Sequence, residues 1–168
     1  MCLLCQAKPL LVVAAPRGKH AAIILKLRRD GTASVVGIFE VPGQQASSTY
    51  LHGSFLYSVE IGGKTVNVGA MQDPFVARPV CGSKPAKTRR PFAVRRVPEA
   101  VVTLTVGAEM LDLDTRNRTK VRFFRLKGGD GLPKQLTPKS FDTFRKKSTL
   151  MSTVEAHALA NANTIKRK

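Results

Sequence analysis

Two glycine turns between apolar strands constrain the fold of this chain more than any other feature of its sequence. Asp30-Gly31 and Gly62-Gly63 suit the positive φ angles of two-residue hairpin turns. Folding the chain about each turn places mostly apolar residues opposite one another on a single face. The predicted pairs are Ile23–Ile38, Leu25–Val36 and Leu27–Ser34 in the first hairpin, and Phe55–Ala70, Tyr57–Val68 and Val59–Val66 in the second. Residues 21 to 70 are therefore predicted to form four antiparallel strands.

Residues 100 to 127 carry a further alternating pattern, which predicts a three-stranded meander. Gly107-Ala108 would turn the first strand into a second one over 109–114, and the third strand would contain a β-bulge at Phe123-Phe124. The ionic pairs predicted on the outer face are Asp112–Arg122 and Asp114–Lys120. Cations opposite both carboxylates favour structural ion pairs over a catalytic pair of acids.

Residues 128 to 168 predict a glycine-rich hinge followed by helix. Thr137-Pro138 is typical of a helix start, and two phenylalanines follow on one face. A second helix is predicted over 150–159, because Ser152 and Glu155 have the spacing of a capping box.

Residues 72 to 98 separate the two β-halves and carry prolines at intervals of five to seven residues. This spacing excludes a long helix or a central strand, and it predicts a linker or arm. Between Pro74 and Pro98 there are seven cations and no acid. A basic segment of this composition is expected to become ordered against an anionic partner.

Together these elements predict a mainly β fold. We expect an antiparallel sandwich or partly open barrel of about seven strands, four plus three, with a C-terminal helix and a basic proline-spaced arm. The predicted organisation is an N-terminal extension over 1–20, a single β-domain over 21–127 interrupted by the arm over 72–98, and a hinge with a helical basic tail over 128–168. Four strands, three strands and a helix are also the outline of the pleckstrin-homology-like fold, for which we identify no sequence motif.

Positive charge is the strongest indication of function. The chain has 28 Lys and Arg against 11 Asp and Glu, a net charge of +17, and this excess is typical of proteins that bind a polyanion. The charge is concentrated in residues 78–96, in 116–127, and in 145–147 together with the last three residues. The residues expected to contact nucleic-acid phosphates are Arg78, Lys84, Lys87, Arg89, Arg90, Arg95, Arg96, Arg116, Arg118, Arg125, Lys127, Arg145, Lys146 and Lys147.

The apolar N-terminal residues do not predict secretion or a membrane span. The run over 10–15 is too short to cross a bilayer, and its cations follow it, whereas a secretory signal carries them in front. An organellar transit peptide would be basic and poor in acids, as this segment is, but also rich in serine, and the first serine is Ser34. The expected location is an intracellular, reducing compartment: cytoplasm, organelle matrix or virion.

Motifs for metal binding and catalysis are weak. Cys2 and Cys5 have the spacing of two zinc ligands, but no second such pair would complete a four-ligand site, so free thiols without metal are expected. The glycines over 128–131 lack the Lys-Ser/Thr ending of a phosphate-binding loop. No nucleophile turn or triad pattern is present. We therefore expect no enzymatic activity and no cofactor.

The charge pattern favours a non-enzymatic structural subunit of a large nucleic-acid-containing assembly, either a ribosome-type ribonucleoprotein or a virion. The expected partners are nucleic acid, RNA in preference to DNA, and neighbouring protein subunits. Aromatic residues are sparse in the basic segments, which favours contact with the phosphate backbone over base stacking. The alternative is an interaction module of pleckstrin-homology-like outline whose basic face docks on anionic lipid or on an acidic protein lattice.

Overall fold

In the part of the chain that the structure describes, the strands form two four-stranded sheets and one short ladder. A computed structural model describes residues 18–43, 53–77, 95–127 and 136–165. The strands, in chain order, are β1 (Lys19–Arg28), β2 (Ala33–Pro42), β3 (Phe55–Ile61), β4 (Lys64–Met71), β5 (Val76–Ala77), β6 (Arg95–Arg96), β7 (Glu99–Val106), β8 (Thr119–Leu126), β9 (Ser148–Val154) and β10 (Thr164–Ile165). The helical elements are a 3₁₀ turn (Ala108–Leu111), α1 (Leu113–Arg116), α2 (Pro138–Lys146) and α3 (Ala156–Ala160).

The two sheets confirm the predicted mainly β sandwich. The first sheet has the order β10-β2-β1-β7, the second has the order β4-β3-β8-β9, and β5 pairs with β6. The long strands pair antiparallel, and the short β10 runs parallel to β2. The two predicted hairpins thus lie in different sheets, and the second sheet gains a fourth strand from the C-terminal part of the chain.

The main core lies between the inner faces of the two sheets. Alternate residues of β1, from Ala21 to Leu27, are fully buried against residues of the second sheet. Phe55 stacks on Phe123, with ring centroids 5.9 Å apart, and meets Phe75 edge to face at 6.0 Å. A smaller cluster lies on the outer face of the second sheet, where α2 covers Leu56, Phe124 and Leu126 with Phe141.

The first hairpin turns at the predicted position, but its register and the length of its loop differ from the prediction. Ile23 pairs with Ile38 as predicted, whereas a bulge after Ile24 pairs Leu25 with Val35 and Leu27 with Ala33. The bulge leaves the side chain of Val36 on the solvent side, 59% exposed. Only the glycine of the turn has positive φ, and its N–H donates to the carbonyl of Arg28, which is typical of a three-residue loop rather than the predicted two-residue turn.

The second hairpin shows the same combination of a correct turn and a shifted register. Both residues of Gly62-Gly63 have positive φ, as the predicted turn requires. A bulge after Val59 moves each predicted pair by one residue, so that Tyr57 faces Gly69. A Cβ at Gly69 would lie 2.5 Å from the ring of Tyr57, which explains why glycine occupies this position.

The predicted meander over 100–127 is wrong, although its first and last strands are correct. β7 pairs with β1 in the first sheet, and β8 pairs with β3 and β9 in the second. Residues 108–116 between them are helical instead of extended. The side chain of Asp112 caps α1 by accepting a hydrogen bond from the N–H of Thr115, 2.9 Å away, and a local contact of this kind favours a helix start.

The C-terminal part of the chain follows the prediction at its start and departs from it afterwards. α2 begins after Thr137, which forms a capping box with Ser140. The helix predicted over 150–159 is wrong in its first half, because β9 occupies 148–154 and pairs with the edge of β8. Only the short α3 is helical, so the predicted capping box at Ser152 and Glu155 does not form.

The outer face of the first sheet carries an ion-pair cluster that should make stability depend on pH. Hydrogen bonds from Lys26, and next from Arg28, hold the pKa of Glu99 below its ordinary value of 4.5. A lowered pKa in the folded state means that this contribution to stability is present above the ordinary value and is lost as the pH falls through the lowered one. We therefore expect the melting temperature of Glu99→Gln to fall less on acidification below 4.5 than that of the unmodified protein. High salt should reduce the difference between the two proteins. If the melting temperatures of both proteins fell equally with pH in low salt, the ion pairs of Glu99 would not contribute to stability.

Candidate polyanion-binding site

Three arginines from separate segments line one cleft at an end of the sandwich. Arg29 lies in the turn after β1, Arg96 in β6 and Arg125 in β8. The cleft has a volume of about 320 Å³ and is completed by Ser54, Asp73, Phe75, Val76 and Leu126. We call it the arginine cleft. Guanidinium groups grouped in a concave surface form the usual setting for bidentate contacts to phosphate.

Backbone hydrogen bonds hold the walls of the arginine cleft together. The N–H of Arg29 donates to the carbonyl of Pro98 over 3.0 Å, which ties the first turn to the residues that lead into β7. The N–H of Val97 donates to the carbonyl of Phe75 over 2.9 Å. The ladder of β5 and β6 places Arg96 opposite Val76. The positions of the arginines therefore depend on contacts between segments that are distant in sequence.

Arg125 is oriented by the acid of the cleft. One terminal nitrogen of its guanidinium donates to Asp73 Oδ2 over 2.9 Å, while Oδ1 of the same carboxylate accepts the N–H of Phe75 over 3.0 Å. The Nε of Arg125 is buried and has no hydrogen-bond partner in the part of the chain that the structure describes.

The charge of the arginine cleft is positive even after its ion pair is counted. Counting the residues that the structure describes, three guanidinium groups face one carboxylate, which leaves an excess of two positive charges. Residues 78–94, which the structure does not describe, connect the end of β5 to the start of β6. These residues add five cations and no acid: Arg78, Lys84, Lys87, Arg89 and Arg90. The arginine cleft therefore lies at the base of the basic arm predicted from the sequence.

A second basic surface lies between α2 and the outer face of the second sheet. This groove, of about 650 Å³, is lined by cations from three elements and by two acids. Its charged residues are Lys64, Arg122, Lys139, Arg145, Glu60 and Asp142. Glu60 pairs with Arg122 at 3.0 Å, and Asp142 lies 3.9 Å from Arg145. Four cations against two acids leave the groove with the same excess of two positive charges as the arginine cleft, but spread over six charged side chains instead of four.

The structure divides the predicted phosphate contacts among several locations. Arg96 and Arg125 meet in the arginine cleft, and Arg145 lies in the second groove. Exposed residues outside both are Arg118, Lys127, Lys146 and Lys147. For Arg95 the structure describes only the backbone, in β6. The remaining predicted contacts, Arg78, Lys84, Lys87, Arg89 and Arg90, lie outside the described residues.

Arg116 occupies an internal position. It is 7% exposed, and one terminal nitrogen of its guanidinium donates to the carbonyl of Ala162 over 3.0 Å, which joins α1 to the end of α3. This contact gives Arg116 a role in packing inside the fold. Sequence reasoning missed Arg29, whose only signal was its place beside a predicted turn.

The predicted ion pairs of Asp112 and Asp114 are wrong, because both acids lie at α1 rather than on a strand. Arg122 pairs with Glu60 instead, and Lys120 pairs with Glu155 at 2.9 Å. Hydrogen bonds from the backbone and then the side chain of Thr115 lower the pKa of Asp112. These contacts cap a helix, which is a structural role.

Residues 18–43, 53–77, 95–127 and 136–165 also bear on metal binding and on membrane crossing. Within these ranges no group of three or more His, Cys, Asp or Glu is placed to hold a metal ion. None of the described helices combines the length and apolarity needed to cross a bilayer. Cys2 and Cys5 lie outside the described residues, so their expected state as free thiols stays a prediction.

No protein-family model, curated protein or solved structure matches this chain. Its function is therefore argued from the sandwich, the arginine cleft and the distribution of charge.

Proposed function

We propose that this protein is a non-enzymatic structural subunit of a nucleic-acid-containing assembly, of the ribonucleoprotein or virion type. It binds the phosphate backbone through the arginine cleft and the basic arm beside it. The observation that carries this proposal is that Arg29, Arg96 and Arg125 meet in one cleft, where Asp73 is the one carboxylate among the described lining residues.

Phosphate is the ligand group that fits this chemistry best. Arginine donates two parallel hydrogen bonds to phosphate oxygens, and each neutralised phosphate of a nucleic acid releases condensed counterions. Among the described residues that line the cleft, one is aromatic: Phe75 is 3% exposed and packs into the core, so it offers no face for base stacking. These features support backbone contact without readout of the base sequence.

A cleft variant tests the proposal. Arg29→Ala combined with Arg96→Ala removes two cations and leaves the ion pair of Arg125 and Asp73 in place. If each arginine holds one phosphate, the slope of log affinity against log salt should fall by about 0.7–0.9 per residue. Fluorescence anisotropy with short RNA and DNA oligonucleotides, over a salt series, measures this slope.

A matched control removes the same charge elsewhere. Lys19→Ala combined with Arg28→Ala changes two cations whose acid partners are Glu40 and Glu99 on the first sheet, and it should leave the salt slope nearly unchanged. Equal slopes for the two double variants would overturn the proposal, because charge alone would then explain binding. Binding to anionic vesicles without any binding to oligonucleotides would instead favour a lipid-docking module.

A further inference from the structure

The second groove follows one side of α2 (Pro138–Lys146) from its first turn to its last. Four residues of the helix line it: Pro138, Lys139, Asp142 and Arg145. The nine residues of α2 span about 14 Å at a rise of 1.5 Å per residue. Lys146, the residue after Arg145, is exposed. Positive charge therefore continues beyond the groove to the end of the helix.

Two contacts join α2 to the arginine cleft. The N–H of Lys127, the residue after β8, donates to the carbonyl of Lys147, the residue after α2, over 3.1 Å. Leu126, which lines the cleft, packs with Phe141 of α2 in the smaller core cluster. The second groove and the arginine cleft are therefore neighbouring parts of one surface, and the exposed Lys127 lies at their junction.

The two lysines of the second groove have charge available for a ligand. Lys64, at the start of β4, and Lys139, in α2, are exposed and form no ion pair within the described ranges. One acid of the groove, Glu60, is 10% exposed and is already engaged by the guanidinium of Arg122. The other acid, Asp142, lies 3.9 Å from its cation in an exposed pair, and such pairs are weak.

A chain of phosphates fits this surface better than a single small anion does. The arginine cleft and the second groove each carry an excess of two positive charges among their described lining residues. Lys127 and Lys146 add two exposed cations near the junction. A small anion would engage one of the two sites, whereas a polyanion neutralises cations along the whole surface and releases counterions at each contact.

We propose that one nucleic-acid strand occupies both sites, with its phosphates passing from the arginine cleft across Lys127 and Lys146 into the second groove. This path rests on the proposed function, to which it adds a second binding site and the course of the strand. Once one site is occupied, the linked phosphates reach the other at a high effective concentration. A strand too short to reach both should bind mainly in the arginine cleft, where guanidinium groups make bidentate contacts.

Oligouridylates of increasing length, from the trinucleotide upward, test this path by fluorescence anisotropy. For the unmodified protein, affinity should rise with length until the strand reaches both sites. The groove variant, Lys64→Ala combined with Lys139→Ala, should lower the salt slope of long strands by about 0.7 per lost phosphate contact. It should leave the affinity for the trinucleotide nearly unchanged. Circular dichroism establishes that each variant is folded before its binding is interpreted.

A matched control removes two lysines from another surface. Lys19→Ala combined with Lys26→Ala changes lysines whose acid partners lie on the first sheet, and it should leave the salt slope of long strands nearly unchanged. The junction variant, Lys127→Ala combined with Lys146→Ala, interrupts the path between the two sites. It should lower the salt slope of long strands, as the groove variant does.

Three results would overturn the path. They are equal slopes for the groove variant and its matched control, a trinucleotide weakened by the groove variant as much as a long strand, and an unchanged slope in the junction variant. The cleft variant, Arg29→Ala combined with Arg96→Ala, separates this failure from a failure of the proposed function. If the cleft variant alone weakens the binding of long strands, the path is wrong and the proposed function stands. If the cleft variant weakens binding at no length, the proposed function fails as well.

Discussion

Phe123→Ala is expected to lower the free energy of unfolding by about 3–5 kcal/mol, the range for truncating a buried aromatic side chain. Phe123 is fully buried between the two sheets and stacks on Phe55. Its loss leaves a cavity that the two sheets can close only by moving toward each other, which would disturb the rest of the core. For a chain of this size the melting temperature should fall by roughly 6–20 °C. Chemical denaturation and calorimetry measure both quantities.

Phe144→Ala is the control for that variant. Phe144 is only partly buried, in the smaller cluster between α2 and the second sheet. We expect it to cost less than half as much as Phe123→Ala, because less apolar surface is removed from the interior. Equal losses would mean that the stability of the protein does not depend mainly on the core between the sheets.

Replacing Arg89, Arg90, Arg95 and Arg96 together by alanine should have the largest effect on binding. If each arginine neutralises one phosphate, the salt slope falls by roughly 3. The melting temperature should change little, because β6 is held to β5 through backbone groups that alanine retains. Anisotropy over a salt series and thermal melts of the same variant measure the two effects.

Arg116→Ala provides the opposite pattern. It removes the hydrogen bond that joins α1 to Ala162, so it should lower the melting temperature and leave the salt slope unchanged. An unchanged slope in the four-arginine variant would show that the basic arm touches no phosphate. A reduced slope in Arg116→Ala would place that residue at the interface after all.

The positions of the two hairpin turns could be predicted from the sequence, because the conformation that glycine allows at a turn depends on neighbouring residues alone. Both hairpins fold at the expected glycines, and Ile23 meets Ile38 as expected. The registers shifted because each hairpin contains a bulge, at Ile24-Leu25 and at Val59-Glu60. The alternation of apolar and polar residues does not show where a bulge occurs. A bulge bends one strand so that it fits against strands from other parts of the chain.

Two patterns after residue 107 predicted the wrong secondary structure, each for a physical reason. The alternating leucines of 109–114 suit a strand in isolation, but Asp112 and Thr115 form a helix cap instead. The residues of β9 suit a helical stripe, yet the open edge of β8 offered them a ladder of backbone hydrogen bonds. The first error was decided by a local helix cap and the second by pairing with a strand from another part of the chain, and the alternation of apolar residues shows neither contact.

The sequence predicted which types of residue form the candidate site, but not which of them lie together in space. Charge counting identified Arg96 and Arg125, whereas the sequence gives no sign that they would meet Arg29. Their meeting depends on the order of the strands and on the ladder between β5 and β6. The same dependence explains why Arg116, in an equally basic segment, lies inside the fold.

The ladder of β5 and β6 has a consequence for how this protein can vary. Because Val76 and Ala77 hold Arg96 and Arg95 beside them, the intervening residues 78–94 begin and end at one place on the sandwich. Doubling the length of such a connection costs only about 0.6 kcal/mol in closure entropy. Insertions, deletions or an engineered cross-linking tag in this segment would thus leave both sheets intact. The length of the arm can therefore change without a change in the structure of the two sheets.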